Sequence, residues 1–142
     1  MEINNGFEMG QKVADRLLKN GTIDQRETRR LLGCWTLQLA NWLTDECDLP
    51  RSEAMKKAHL TRKILDGLGR GVMTFAYRKQ NGELRRAQGT LCPGVSADFD
   101  GYVYKHEDRE AFSRVMERGV FVYFDLERKA FRSFAAKNVE GL

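Results

Sequence analysis

Gly71-Val72-Met73-Thr74-Phe75-Ala76-Tyr77-Arg78-Lys79, then Gln80-Asn81-Gly82, then Leu84-Arg85-Arg86-Ala87-Gln88-Gly89-Thr90-Leu91 is the stretch that decides how the second half of this chain folds. Met73, Phe75 and Tyr77 alternate with Val72, Thr74 and Ala76, the period of a strand with one face buried, not the 3.6-residue period of a helix. Asn81-Gly82 tolerates the positive backbone angles of a tight turn, so the two flanking runs read as a hairpin.

Working outward, Val120–Leu126 and Phe131–Phe134 surround the polar turn Glu127-Arg128-Lys129 and predict a second hairpin. Between the hairpins, Cys92–Asp100 is rich in turn formers, Gly101–Lys105 has the length of a short strand, and Glu107–Arg118 carries a helical pattern through Phe112, Val115 and Met116, closed by Gly119. So long a connection reads as an insertion with structure of its own, of the kind often laid over a binding surface.

Towards the N-terminus the period is helical. Met9, Val13, Leu17 and Leu18 predict a helix over Phe7–Asn20 that stops at Asn20-Gly21, and Asp24 to Glu27 has the spacing of a capping box opening a second. Along that second helix Thr28, Leu32, Trp35, Leu39 and Trp42 form a buried stripe flanked by Leu31 and Leu43. Its two tryptophans read as core and not as a stacking platform, because large aromatic rings dominate burial. Pro50 ends the pattern and Ser52 is placed to cap a third helix, Glu53–Leu68. One face of that helix is Met55, Ala58, Thr61, Leu65 and Leu68, while Lys56, His59 and Lys63 line another. Arg51 to Arg70 is the most basic stretch of the chain, and its plainest reading is a solvated helix face.

At 142 residues, with 42% apolar and 31% charged residues and no long uncharged run, disorder and a membrane span are not expected. The start Met1-Glu2-Ile3-Asn4-Asn5 lacks the pattern of a secretory signal, so the expected compartment is the cytoplasm. Cys34, Cys47 and Cys92 are odd in number and form no CxxC pair, and His59 and His106 lie far apart, which fits reduced thiols and no metal site. The net charge of +4 admits an anionic partner without the excess of a dedicated nucleic-acid binder, and it divides evenly between the halves.

The block Ser52–Ala58, the hairpin Phe75, Tyr77, Lys79, Gly82, Arg85, Ala87, Gly89-Thr90-Leu91, and the hairpin Tyr123-Phe124-Asp125, Glu127, Arg132, Phe134 together resemble the WYL-like family with an Sm-type SH3 β-barrel, over about residues 52–139. That family occurs in bacterial genomes and mobile elements. The resemblance implies a five-stranded small barrel that binds nucleic acid or a nucleotide-like ligand in a regulatory role, although fold alone does not fix function. The chain carries no Trp-Tyr-Leu tripeptide and no evident N-terminal winged helix-turn-helix. The expected architecture is α+β: N-terminal helices packed on a small SH3/Sm-like antiparallel β-barrel with a helical insertion. Residues 1–50 form a helical region, and residues 51–142 hold the basic helix and the barrel, with the insertion at about 92–118.

No constellation of activated nucleophile, paired carboxylates or metal ligands stands out, so no enzyme activity and no cofactor are expected. Gly67-Leu68-Gly69-Arg70-Gly71 follows a helix and precedes a strand, the reverse of a phosphate-binding turn. Cys92 reads as a buried thiol, and His106 with Glu107 and Asp108 as a helix start. The expected site is cationic and aromatic. Arg78, Lys79, Arg85 and Arg86 flank the first turn, Arg128, Lys129 and Arg132 flank the second, Tyr77 and Tyr123 offer stacking faces, and Lys56 and Lys63 extend the surface onto the helix. Against this stands the plain role of hairpin cations in discouraging edge-to-edge aggregation. The competing reading is a protein-interaction adaptor or inhibitor acting through the helical half, and open strand edges also leave room for a homodimer.

Overall fold

A computed structural model describes residues 25–103, 105–106 and 119–142. The expected helices Phe7–Asn20 and Glu107–Arg118, the Asp24 capping box, and the side chains of Thr28, Leu31 and Leu32 lie outside the described residues. Two helices, α1 (Gln25–Cys47) and α2 (Arg51–Arg70), precede an antiparallel sheet of β1 (Val72–Arg78), β2 (Leu84–Thr90), β3 (Val120–Asp125), β4 (Ala130–Ala135) and β5 (Val139–Gly141). A four-residue helix, α3 (Ala97–Asp100), lies between β2 and β3. No described helix is long and apolar enough to cross a membrane.

Trp35, Leu39 and Leu43 recur every four residues along α1 and are buried together, while Trp42 at the edge of the stripe is only partly covered. Trp35 is core, as expected, meeting Phe121 edge to face at 5.7 Å. Helix α1 ends with Asp48 in the left-handed region and with the Leu49 N–H donating to the Leu43 carbonyl, the six-to-one bond that satisfies an orphan carbonyl. Helix α2 then begins one residue before the expected cap. The Pro50 carbonyl accepts from Ala54 N–H at 2.9 Å, and Ser52 sits exposed in the first turn without capping anything.

The buried face of α2 is Ala54, Ala58, Thr61, Ile64 and Leu68. Met55 and Leu65 from the expected stripe flank it. The centre is shifted because the two small alanines let this helix pack closely against its neighbours. The Lys57 ammonium donates to the Val139 carbonyl at 3.0 Å and ties α2 to β5.

The strand order is β4-β3-β2-β1-β5. Strands β1 and β2 pair along their full length, Tyr77 opposite Arg85 and Phe75 opposite Ala87, and β3 and β4 pair from Val120 opposite Ala135 to Asp125 opposite Ala130. Only Gly89 and Thr90 pair with Asp125 and Phe124 across β2 and β3, so the sheet turns a corner there and curls until Phe134 of β4 meets Phe75 of β1 at 5.1 Å between ring centres. Gly89 makes the corner possible: a Cβ there would lie 2.5 Å from the Tyr123 ring and 2.9 Å from the Phe124 carbonyl oxygen. One core runs from Trp35 in α1 through α2 to Phe75, Tyr123, Phe134 and Val139.

The structure confirms the α+β architecture, helices followed by a small five-stranded antiparallel sheet of SH3/Sm-like type. Two local expectations change. Gly101–Val103 is not a strand. Ser96 accepts from the Phe99 N–H to cap α3, and the three-residue spacing of Phe99 and Tyr102 drops both rings onto Phe124 and Phe131, on the outer face of β3 and β4. Strand β5, three residues long and carrying no apolar alternation, escaped the periodicity altogether.

Candidate anion-binding end of the barrel

Both hairpin turns emerge at the same end of the sheet. In the first, Gly82 takes a positive φ of 88° and its N–H donates to the Lys79 carbonyl. In the second, Asp125 organises the backbone. Its Oδ1 accepts from the N–H groups of Glu127 and Arg128, each at 3.0 Å, and its carbonyl accepts from Lys129, which adopts the left-handed φ of 54°. The Leu126 N–H donates to the Gln88 carbonyl and carries this turn back along β2.

The period-two alternation of β2 divides the adjacent arginines. Arg85 shares the inner face with Ala87 and Gly89, whereas Arg86 points outward and is exposed. The Arg85 side chain is only 10% exposed, and its Nη2 donates to Oδ2 of Asp125, which is fully buried. Arg132 approaches the same oxygen from β4, its Nε 4.0 Å away and its side chain 39% exposed. The Tyr123 hydroxyl donates to that oxygen at 3.4 Å and lies 2.8 Å from the Tyr77 hydroxyl. Two guanidinium groups and a tyrosine pair thus converge on one carboxylate.

Burial pushes the Asp125 carboxyl up. The Arg128 N–H, the hydrogen bond and charge of Arg85, and the Glu127 N–H outweigh it and hold the carboxyl below the usual range. Burial also works against the Arg85 charge, but hydrogen bonds to Tyr123 and Asp125 prevail and the guanidinium is held more firmly protonated than usual. The Tyr123 phenol is pushed well above its ordinary value, by burial first and then by its bond to Tyr77, and stays neutral. Arg85 Nε is nonetheless buried without a hydrogen-bond partner, a deficit of about 1–3 kcal/mol for a sealed polar group.

Not every expected residue belongs to this end in the expected way. Tyr77 and Tyr123 are 5% and 0% exposed and pack edge to face with the core rings, so neither presents a face for stacking. On a strand, odd-numbered aromatics beside Phe75 point inward with it, and only the hydroxyls reach the polar end. Arg78 is half-exposed and paired to Glu140 at 3.4 Å, and Lys79 is paired to Glu83 at 3.5 Å. Lys56 and Lys63 are exposed on the outward face of α2, and among the described residues no hydrogen bond or ion pair joins them to the barrel end. Arg86 and Arg128 are exposed, and no ion pair among the described residues engages them. Asp125 is what sequence reasoning left out. Its only signal is an acid that ends an apolar strand and opens a polar turn, a pattern shared with ordinary turn residues.

A family model described as WYL_2, Sm-like SH3 beta-barrel fold, matches residues 61–139, more than half of the chain and the whole cluster around Asp125. No curated protein and no solved structure matches the chain.

Proposed function

The chain belongs to the WYL_2 family of Sm-like SH3 β-barrels, and we propose that it is a non-enzymatic, cytoplasmic binding module whose hairpin end engages nucleic acid or a nucleotide-like anionic ligand, in a regulatory or mobile-element setting. The observation that carries this reading is the state of the cations at that end. Arg78, Lys79 and Arg85 are neutralised by Glu140, Glu83 and Asp125, and Arg132 shares the Asp125 carboxylate with Arg85, which leaves Arg86 and Arg128 as uncommitted positive charge around two turns. Guanidinium forks match phosphate oxygens and suit a backbone-reading surface.

A binding role also accords with the chemistry of Asp125. Its carboxylate is ionised and fully engaged by two backbone N–H groups, Arg85 and Tyr123, so it holds the turn in place and has no lone pair to spare for a base. With the two tyrosine rings buried, contact rests on charge and not on stacking, and affinity then depends steeply on salt.

The test is titration of fluorescent single-stranded RNA, double-stranded DNA and a cyclic-nucleotide panel at two salt concentrations, against wild type and Arg86→Ala/Arg128→Ala. Binding that weakens with salt and falls about tenfold or more in the double variant supports the reading. Absence of binding by every probe at micromolar protein overturns it in favour of a protein partner.

A further inference from the structure

The polar cluster behind the exposed cations has a different character from the surface in front of it. Arg86 and Arg128 lie outside, where a strand of nucleic acid can pass across them. Arg85, Asp125 and the tyrosine hydroxyls lie on the inner face of the curled sheet, and the half-exposed Arg132 leads to them. Asp125 neutralises only one of the two guanidinium groups that share its Oδ2. Its other contacts already saturate it, so Arg132, at 4.0 Å, is the most weakly held member of the cluster. The Arg85 side chain is nine-tenths buried and its Nε has no partner. The cluster thus carries one positive charge in excess, at the half-exposed Arg132, beside one buried N–H donor, Arg85 Nε, that has no partner.

Resting on the anion-binding reading above, we propose that this cluster takes the terminal phosphate monoester of a nucleic-acid strand or nucleotide, bridged between Arg132 and Arg85. An internal phosphodiester has chain leaving on both sides and two unesterified oxygens, so it is confined to the outer cations. A terminal phosphate has one ester link and three unesterified oxygens, enough to enter end-on and face two guanidinium forks at once. Arg132 swings off Asp125 to meet it, which opens the way to the sealed Nε of Arg85. Asp125 remains bonded to the turn and keeps Arg85 oriented. The outer cations set overall affinity, and the Arg132–Arg85 cluster sets preference for a strand end.

The experiment compares one single-stranded oligonucleotide in three forms, with a 5′-phosphate, with a 3′-phosphate, and with hydroxyls at both ends, by fluorescence anisotropy at fixed salt. One phosphorylated form is expected to bind about tenfold or more tighter than the hydroxyl form, with inorganic phosphate erasing the difference. Arg132→Gln is expected to abolish the preference while leaving affinity for the hydroxyl form within about twofold, and Arg86→Ala to weaken all three forms alike. A thermal melt superimposable on wild type shows that Arg132→Gln is folded. Equal, salt-dependent affinity for all three forms overturns the end-phosphate site and leaves the outer surface standing. A preference that survives Arg132→Gln also overturns it. Binding of none of them overturns both readings.

Discussion

Two sets of cations sit on this molecule, and they differ in what holds them. Lys56 and Lys63 project from an outward helical face. Arg85 and Arg132 are drawn by β2 and β4, the strands on either side of β3, onto a single buried carboxylate, itself fixed by two backbone N–H groups. A flexible, solvated ammonium loses side-chain entropy on every contact it makes, whereas a guanidinium already held by a carboxylate has lost it during folding. The comparison teaches that charge density along a sequence is a poor guide to where cations are held in place: the densest basic run is the helix, and the ion-paired cluster is at the barrel end.

The contrast is broken most severely by Asp125→Asn. Removing the charge that Arg85 is buried against is expected to cost about 3–5 kcal/mol, read as a lower urea midpoint. The sign of its pH dependence follows from the depressed carboxyl. The unfolded chain binds the proton first on acidification, so the stabilisation is complete above the ordinary aspartate value of about 3.9 and is lost as pH falls through the folded value. The gap between wild type and Asp125→Asn should therefore shrink as urea titrations move from pH 7 towards pH 3. A gap indifferent to pH would remove the ion pair from this account.

Tyr77→Phe sharpens the comparison more gently. It deletes the 2.8 Å hydroxyl contact, leaves the Tyr123 hydroxyl its bond to Asp125, and is expected to cost about 1 kcal/mol. A loss as large as that of Asp125→Asn would place the tyrosine pair, and not the carboxylate, at the centre of the cluster. Lys56→Ala/Lys63→Ala is the smallest change, within about 0.5 kcal/mol in stability. It should also reduce the salt dependence of binding less than Arg86→Ala/Arg128→Ala does. The reverse ranking would return the site to the helix.

How much of this was legible beforehand depends on the length scale of each signal. The β1–β2 and β3–β4 hairpins announce themselves because alternation over six or seven residues and a turn dipeptide agree, and α1 and α2 because their buried stripes span several turns. Strand β5 is held by pairing with β1 and by Lys57, both distant in sequence, and nothing within its three residues foretells it. At the candidate site, the hairpin cations were readable but the packing of each residue was not. Alternation alone would have separated Arg85 from Arg86 and turned Tyr77 inward beside Phe75. That Arg85 meets Asp125 depends on the sheet turning at Gly89, a tertiary event that no local window contains.

The long connection between β2 and β3 is pinned at both of its ends. As the chain leaves β2, the Thr90 hydroxyl donates to the Gly71 carbonyl and accepts from the Cys92 N–H. As it returns, Gly119 takes a left-handed φ of 64° directly beneath Trp42, where a Cβ would come within 2.4 Å of the indole. The register of β2 and β3 is thereby fixed at the two points where the connection leaves and rejoins the sheet. The point of re-entry is therefore a constraint set by the helix: with Trp42 in place, the connection has to come back to the sheet through a residue without a side chain.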